Sequence, residues 1–142
     1  MVGRLYLTDQ GFSFAAKAIA TISGGQIVKA MSGANVLTST NAVGEIVEVD
    51  LADAVGDIGI AVGVATNTGV SGDRIGVATT GVHGFYASEA ITAGWGLVAD
   101  GTVASADAVA RITVGATSGA EARFGKALTY AASGQLCAVK LG

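Results

Sequence analysis

The chain has 142 residues, enough for one domain that buries most of its apolar surface, and its 26 Val and Ile residues far outnumber its 8 Leu residues. Branched side chains of this kind pack well on a pleated sheet and poorly on a helix, so the composition predicts an all-β protein of many short strands with little helix. A net charge of −3 with scattered cations argues against a nucleic-acid partner, and Gly or charged residues interrupt every apolar run before it could span a membrane.

The opening segment and the lone cysteine bear on the cellular compartment. The N-terminal residues, MVGRLYLTDQ, lack the basic region and apolar stretch of a secretory signal, so we expect none. Cys137 is the only cysteine, which excludes an intramolecular disulfide and indicates synthesis in a reducing compartment. We therefore expect a protein made in a cytoplasm.

Residues 1–17 differ in character from the rest of the chain. Tyr6, Phe12 and Phe14 place three of the seven Phe and Tyr residues in this short stretch. A terminal segment rich in aromatic residues usually packs on its own domain or on a neighbouring protein, and the sequence leaves both possibilities open. We divide the chain into an N-terminal segment, residues 1–17, and a single β-domain, residues 18–142.

An acidic run follows in the first half of this domain. EIVEVDL at 45–51 alternates Val47, Val49 and Leu51 with acids, as a half-buried strand does. Five of the eleven acidic residues fall between 45 and 57, but their order lacks the ligand spacing of a calcium loop. The run is therefore interpreted as a solvated strand edge and loop, with metal binding as the alternative.

The next strand, IGIAVGVA at 58–65, has one bulky face and one nearly flat face. Its flat face consists of small residues, Gly59, Ala61, Gly63 and Ala65. Small residues let another sheet or subunit approach closely, so we expect the flat face to be a contact surface.

Two segments of the chain are similar at a constant offset of 62 in residue number: GVATNTGVSGDRIGV at 63–77 and GKALTYAASGQLCAV at 125–139. Gly63 matches Gly125, Gly72 matches Gly134, and a weaker match at an offset of 70 places Gly24 over Gly94. The repeat predicts one compact β-barrel or sandwich with an internal pseudo-twofold, in which halves of about 18–87 and 88–142 fold alike. Chance similarity in a Gly-, Ala- and Val-rich chain is the alternative.

Residues with catalytic potential are few. His83 is the only histidine, and it could pair with Ser88 or Cys137, but neither lies in a G-x-S-x-G elbow. Cys137 aligns with Ile75 in the repeat, which indicates a small core residue rather than a reactive thiol. The chain also lacks nucleotide-binding and metal-ligand motifs, so we expect no enzymatic activity, no cofactor and no metal ion.

Three blocks of the sequence together resemble the small capsid cement or decoration proteins of tailed viruses. They are AIATISGGQIVKA at 18–30, IGIAVGVATNTGVSGDRIGVATTGVHGFYASEAITAGWGLVADG at 58–101, and RFGKALTYAASGQLCAVKLG at 123–142. The resemblance covers about residues 18–142, and each motif is short and built from common residues. The preceding segment, residues 1–17, matches the family less well.

The resemblance implies a structural virion protein with a β-barrel-like fold, bound as homotrimers to the outside of an icosahedral head and stabilising it. Its partner would be the major capsid protein, and Tyr6, Phe12 and Phe14 would contact that partner through an N-terminal arm. It implies no catalytic residues. Two other classes stay open: a tail-fibre, filament or surface-layer subunit, and a small barrel enzyme or binding module with a pocket lined by His83, Tyr86 and Trp95.

Overall fold

The computed structural model describes residues 13–30, 47–53, 61–100, 106–111 and 124–142. All regular elements in these ranges are β-strands, which confirms the all-β expectation. They are β1 (Ser13–Ala18), β2 (Ile27–Ala30), β3 (Val47–Leu51), β4 (Ala61–Ala65), β5 (Arg74–Ala78), β6 (Gly81–Ala87), β7 (Gly96–Ala99), β8 (Ala108–Arg111), β9 (Gly125–Ala127) and β10 (Leu136–Leu141).

The strands form two closed barrels with the same topology. The first has the order β1-β3-β2-β4-β5, and the second has the order β10-β6-β8-β7-β9. Counted in chain order, the first strand of each barrel runs parallel to the third and antiparallel to the fifth. Strand β6 therefore takes the place of β1, and β10 takes the place of β5. The internal repeat is therefore confirmed. Strands β1–β5 close one barrel and β6–β10 close another, whereas the sequence suggested that both halves share one. Strand β6 (Gly81–Ala87) therefore belongs to the second barrel, although the predicted halves of about 18–87 and 88–142 placed it in the first.

Backbone hydrogen bonds fix how the two copies correspond. Gly25 donates its N–H to Ala65, and Gly94 donates to Ala127, both at 2.8 Å between nitrogen and oxygen. Both glycines have a positive φ, 94° and 93°, which a side chain would strain. Gly25 is therefore the counterpart of Gly94, at an offset of 69, and the alignment of Gly24 with Gly94 at an offset of 70 is wrong by one position.

The second part of the repeat keeps the predicted offset of 62. Gly72 and Gly134 turn the chain with φ of 94° and 85°, and they donate to the carbonyls of Ala18 and Ala87 at 2.8 and 2.7 Å. Ala18 and Ala87 are themselves related by the offset of 69 that relates Gly25 to Gly94. The same bond thus joins the same two places in each barrel.

The two barrels share part of their apolar core. One cluster fills the first barrel and includes Val49, Ile75 and Val77, whereas the larger cluster fills the second barrel and extends to Val64 and Ala78 of the first. The backbone N–H of Ile27 also donates to the carbonyl of Ala106 across the junction. Because buried side chains and a backbone bond cross the junction, we expect the barrels to unfold together.

Strand β4 lies between the two cores and contributes residues to both. Ala65 belongs to the core of the first barrel, and a Cβ added to Gly63 would lie 2.7 Å from Cγ1 of Val77. Val64, on the bulky face, packs against the second barrel instead. The interior of a five-stranded barrel is narrow, so Gly63 and Ala65 of the flat face point into the first barrel. Ala61 packs against the second barrel, and Gly59 lies outside the described residues.

Strand β1 overlaps the segment that we interpreted as an arm. Residues 13–17 form most of β1, which pairs with β3 and β5, and Ala16 and Ala18 are buried in the first barrel. The acids of β3 lie opposite cations: Glu48 is in register with Lys17, and Asp50 with Lys29. Opposite charges at paired positions stabilise a sheet, which accounts for these two acids of the 45–57 run.

Candidate interaction surface

The residues with catalytic potential contact backbone carbonyls. His83 is buried, with Nε2 3.0 Å from the carbonyl oxygen of Thr80. Ser88 donates its hydroxyl to the carbonyl of Val109 at 3.1 Å, and the thiol of Cys137 lies 3.4 Å from the carbonyl of Thr129. Burial raises the pKa of the Cys137 thiol, which disfavours the reactive thiolate.

The pocket proposed from His83, Tyr86 and Trp95 does not form. His83 points into the second barrel, whereas Tyr86 is half-exposed on its outer surface. The guanidinium of Arg111 lies 4.7 Å from the ring centroid of Trp95 and 4.0 Å from a carboxylate oxygen of Glu89, so it covers the indole.

Metal-ligating side chains do not cluster in the described ranges: no three His, Cys, Asp or Glu residues are placed to hold an ion. The described ranges also contain no helix long and apolar enough to cross a membrane.

Of the three residues predicted to contact a partner, one can be located. Phe14 lies on β1 opposite Val77 and is 37% exposed. Tyr6 and Phe12 lie outside the described residues. The structure therefore places one of the three aromatic side chains at the surface of the first barrel.

Most of the other large exposed apolar side chains lie on the second barrel. Tyr86 on β6 is directly opposite Leu136 on β10, and the two side chains are 48% and 49% exposed. Leu128 and Tyr130, in the connection between β9 and β10, are 45% and 65% exposed. We call these four residues the aromatic face.

The aromatic face continues along the outer side of the sheet. Leu128 donates its N–H to Ala138 at 2.8 Å, which holds the connection beside β10. Ala138 lies opposite Gly84, and the next outward position of β10 is Lys140, directly opposite Lys126 of β9. The outer side thus changes from large apolar residues, through small ones, to a pair of lysines.

Sequence reasoning missed the aromatic face, although the repeat contains a signal for it. At the offset of 62, Thr66 becomes Leu128, Thr68 becomes Tyr130 and Arg74 becomes Leu136. Reading the repeat for its differences as well as its matches would have indicated these positions.

No protein-family model matches the chain, and no curated protein matches it. Among solved structures, the chain is similar to the head fiber gp8.5 N base of bacteriophage phi29, with 19% sequence identity and a TM-score of 0.55. The match covers 92% of this chain and 93% of the phage chain. The two compared chains therefore share a fold over most of their residues.

Proposed function

We propose that the chain is a structural protein of a bacteriophage virion, made in the host cytoplasm, which binds the outer surface of an icosahedral head and stabilises it as a decoration protein. The observation that carries the proposal is the end-to-end fold similarity to the base of a phage head fiber. The sequence resemblance to capsid decoration proteins rests on short motifs and supports the same class. The proposed partner is the major capsid protein, and the proposal includes no enzymatic activity, cofactor or nucleic-acid partner.

The architecture suits a protein that binds to a shell. A closed barrel leaves few unpaired strand edges, so many copies can crowd on a surface without pairing edge to edge. Buried contacts join the two barrels, and a joined pair of barrels loses less conformational freedom on binding than two freely linked ones. A decoration protein needs both properties.

The contact residues and the oligomeric state belong to the same proposal. We assign Tyr6, Phe12 and Phe14 to the contact with the shell and expect homotrimers on the head. Because residues 13–17 belong to β1, the test deletion is limited to residues 2–12, which leaves β1 intact. Its deletion is expected to preserve the melting temperature and to weaken head binding. A lower melting temperature with unchanged head binding would assign the segment to the fold.

The name of the phi29 protein favours a second candidate, the base of a fibre on the phage head. In that role the chain would anchor a projecting fibre rather than stabilise the shell. Cryo-electron microscopy of heads mixed with the protein distinguishes the two. Density close to the shell at many equivalent positions supports decoration, and projecting density at a few positions supports a fibre base.

The direct test mixes the purified protein with expanded heads that lack it, from the phage that encodes it. We expect the protein to co-sediment with the heads, to appear as trimers on their outer surface, and to raise the temperature at which the heads release DNA. Heads that bind no protein would contradict the proposal, and bound isolated monomers would contradict its trimeric part.

A further inference from the structure

The internal repeat allows the outer faces of the two barrels to be compared position by position. Strands β1 and β5 of the first barrel pair in the same way as β6 and β10 of the second. Because the corresponding positions share one backbone arrangement, a change in chemistry between them is not imposed by the fold.

At one end of the outer face, the first barrel carries charged side chains and the second carries apolar and aromatic ones. The first barrel has Lys17 directly opposite Arg74, and the second has Tyr86 directly opposite Leu136. Charged side chains are the ordinary choice at a solvated position. The Lys–Arg pair, with Glu48 in register beside Lys17, shows that the backbone accepts charged side chains there, so the exposed Tyr–Leu pair is not needed for folding.

The connection before the last strand of each barrel differs in the same way. In the first barrel, Thr68 accepts a hydrogen bond from the N–H of Gly24 at 3.1 Å. The residue at the corresponding place in the second barrel, Tyr130, is 65% exposed. The four side chains of the aromatic face present on the order of 400 Å² of largely apolar surface, within the range of patches that are often functional.

The other end of the face carries a pair of cations. Lys126 and Lys140 lie directly opposite each other, at the positions where the first barrel has Val64 opposite Ala78. Within the described ranges no carboxylate forms an ion pair with either lysine. Like charges at paired positions destabilise a sheet, so this end favours a partner that supplies carboxylates.

We propose that the aromatic face, with its lysine pair, is a second surface through which this chain binds the shell protein, in addition to the contact assigned to Tyr6, Phe12 and Phe14. The matching surface of the shell presents apolar side chains beside carboxylates. This inference rests on the proposed function. The apolar area is about half of what one partner buries in a standard stable interface, so charge pairing has to contribute. A second copy docked by the same face would bring four ammonium groups into one interface without an acid from that face, which favours the shell protein as the occupant.

The decisive variant transfers the residues of the first barrel to the second, as Tyr86→Lys with Leu136→Arg. We expect its melting temperature to stay within a few degrees of wild type and its affinity for expanded heads to fall at least tenfold. The matched control, Lys17→Ala with Arg74→Ala, alters the same strand positions in the first barrel and should leave head binding unchanged.

A second variant tests the lysine pair and does not depend on the first. Lys126→Glu with Lys140→Glu should weaken head binding at low salt, and the difference from wild type should shrink in 1 M NaCl, because salt screens the charges. A defect that is independent of salt would contradict the charge-pairing part of the inference.

The outcomes separate this inference from the proposed function. If wild type binds heads and the Tyr86→Lys, Leu136→Arg variant binds equally well, the inference is wrong and the proposed function stands. If that variant loses self-association in sedimentation velocity but still binds heads, the face holds a second copy, which also overturns the inference. If wild type does not bind heads, both are overturned.

Discussion

Replacing Gly63 by Ala tests whether the close strand contact inside the first barrel limits its stability. A Cβ at this position would lie 2.7 Å from Cγ1 of Val77 and would also contact the carbonyl oxygen of Ala78. The Val77 side chain is buried and the carbonyl belongs to a strand, so neither can move aside cheaply. Overpacking of this kind costs about 1 to 3 kcal/mol, and the backbone contact favours the upper end.

A smaller effect opposes this loss. Alanine restricts the unfolded chain more than glycine does, which stabilises the folded state by about 0.4 to 1 kcal/mol where the backbone conformation suits it. Gly63 has no positive φ, so this gain applies. The net loss is therefore about 2 kcal/mol, which lowers the melting temperature of a chain of this size by about 8 °C.

The repeat supplies both a replicate and a control for the calorimetric measurement. Gly125→Ala should cause a similar loss, because its Cβ would lie 2.6 Å from Cγ1 of Val139 and 2.7 Å from the carbonyl oxygen of Lys140. Gly76→Ala should cost less, since its Cβ meets the Thr66 side chain rather than a strand carbonyl. A Gly63→Ala protein that melts with wild type, to within about 2 °C, would refute the packing argument, and two separate transitions would refute the shared core.

Three further predictions concern single side chains. Burial raises the pKa of the Cys137 thiol in the folded protein, so the unfolded chain ionises first when the pH rises above the ordinary thiol pKa of about 8.5. Wild type should therefore lose stability relative to Cys137→Val above that pH, which denaturant titrations from pH 7 to 10 measure. Arg111→Gln should cost about 0.5 kcal/mol through the lost cation–π contact and shift the emission of Trp95 to longer wavelength. Asp73→Gln should retain more thermal stability than Asp73→Ala, because Gln135 accepts the equivalent turn hydrogen bond in the second barrel.

The repeat was predictable because several of its matched residues are constrained by geometry. Gly72 and Gly134 have a positive φ, and Gly63 and Gly125 lack space for a Cβ. Positions of this kind resist change while their neighbours diverge, so they keep both copies recognisable. The correspondence of Cys137 with Ile75 is confirmed for a related reason, since both side chains are buried in their barrels.

The offset of 69 in the first part of the repeat was harder to find because two glycines are adjacent. Either Gly24 or Gly25 can be aligned with Gly94, and the sequence does not show which of them has the positive φ. The number of barrels was also hidden. Closing each barrel depends on parallel pairing between β1 and β3, and between β6 and β8, and such long-range pairing leaves no periodic trace in a single sequence.

One pair of equivalent positions carries different side chains in the two barrels. In the first barrel, Val64 and Ala78 lie opposite each other and are covered by the second barrel. Lys126 and Lys140 occupy the corresponding positions of the second barrel, where stacking a third barrel in the same way would bury two ammonium groups of like charge. Burying unpaired charges costs several kcal/mol each, more than the apolar contact of one Val–Ala pair returns. The lysines therefore disfavour the same barrel-to-barrel contact at this face and favour a partner that brings carboxylates.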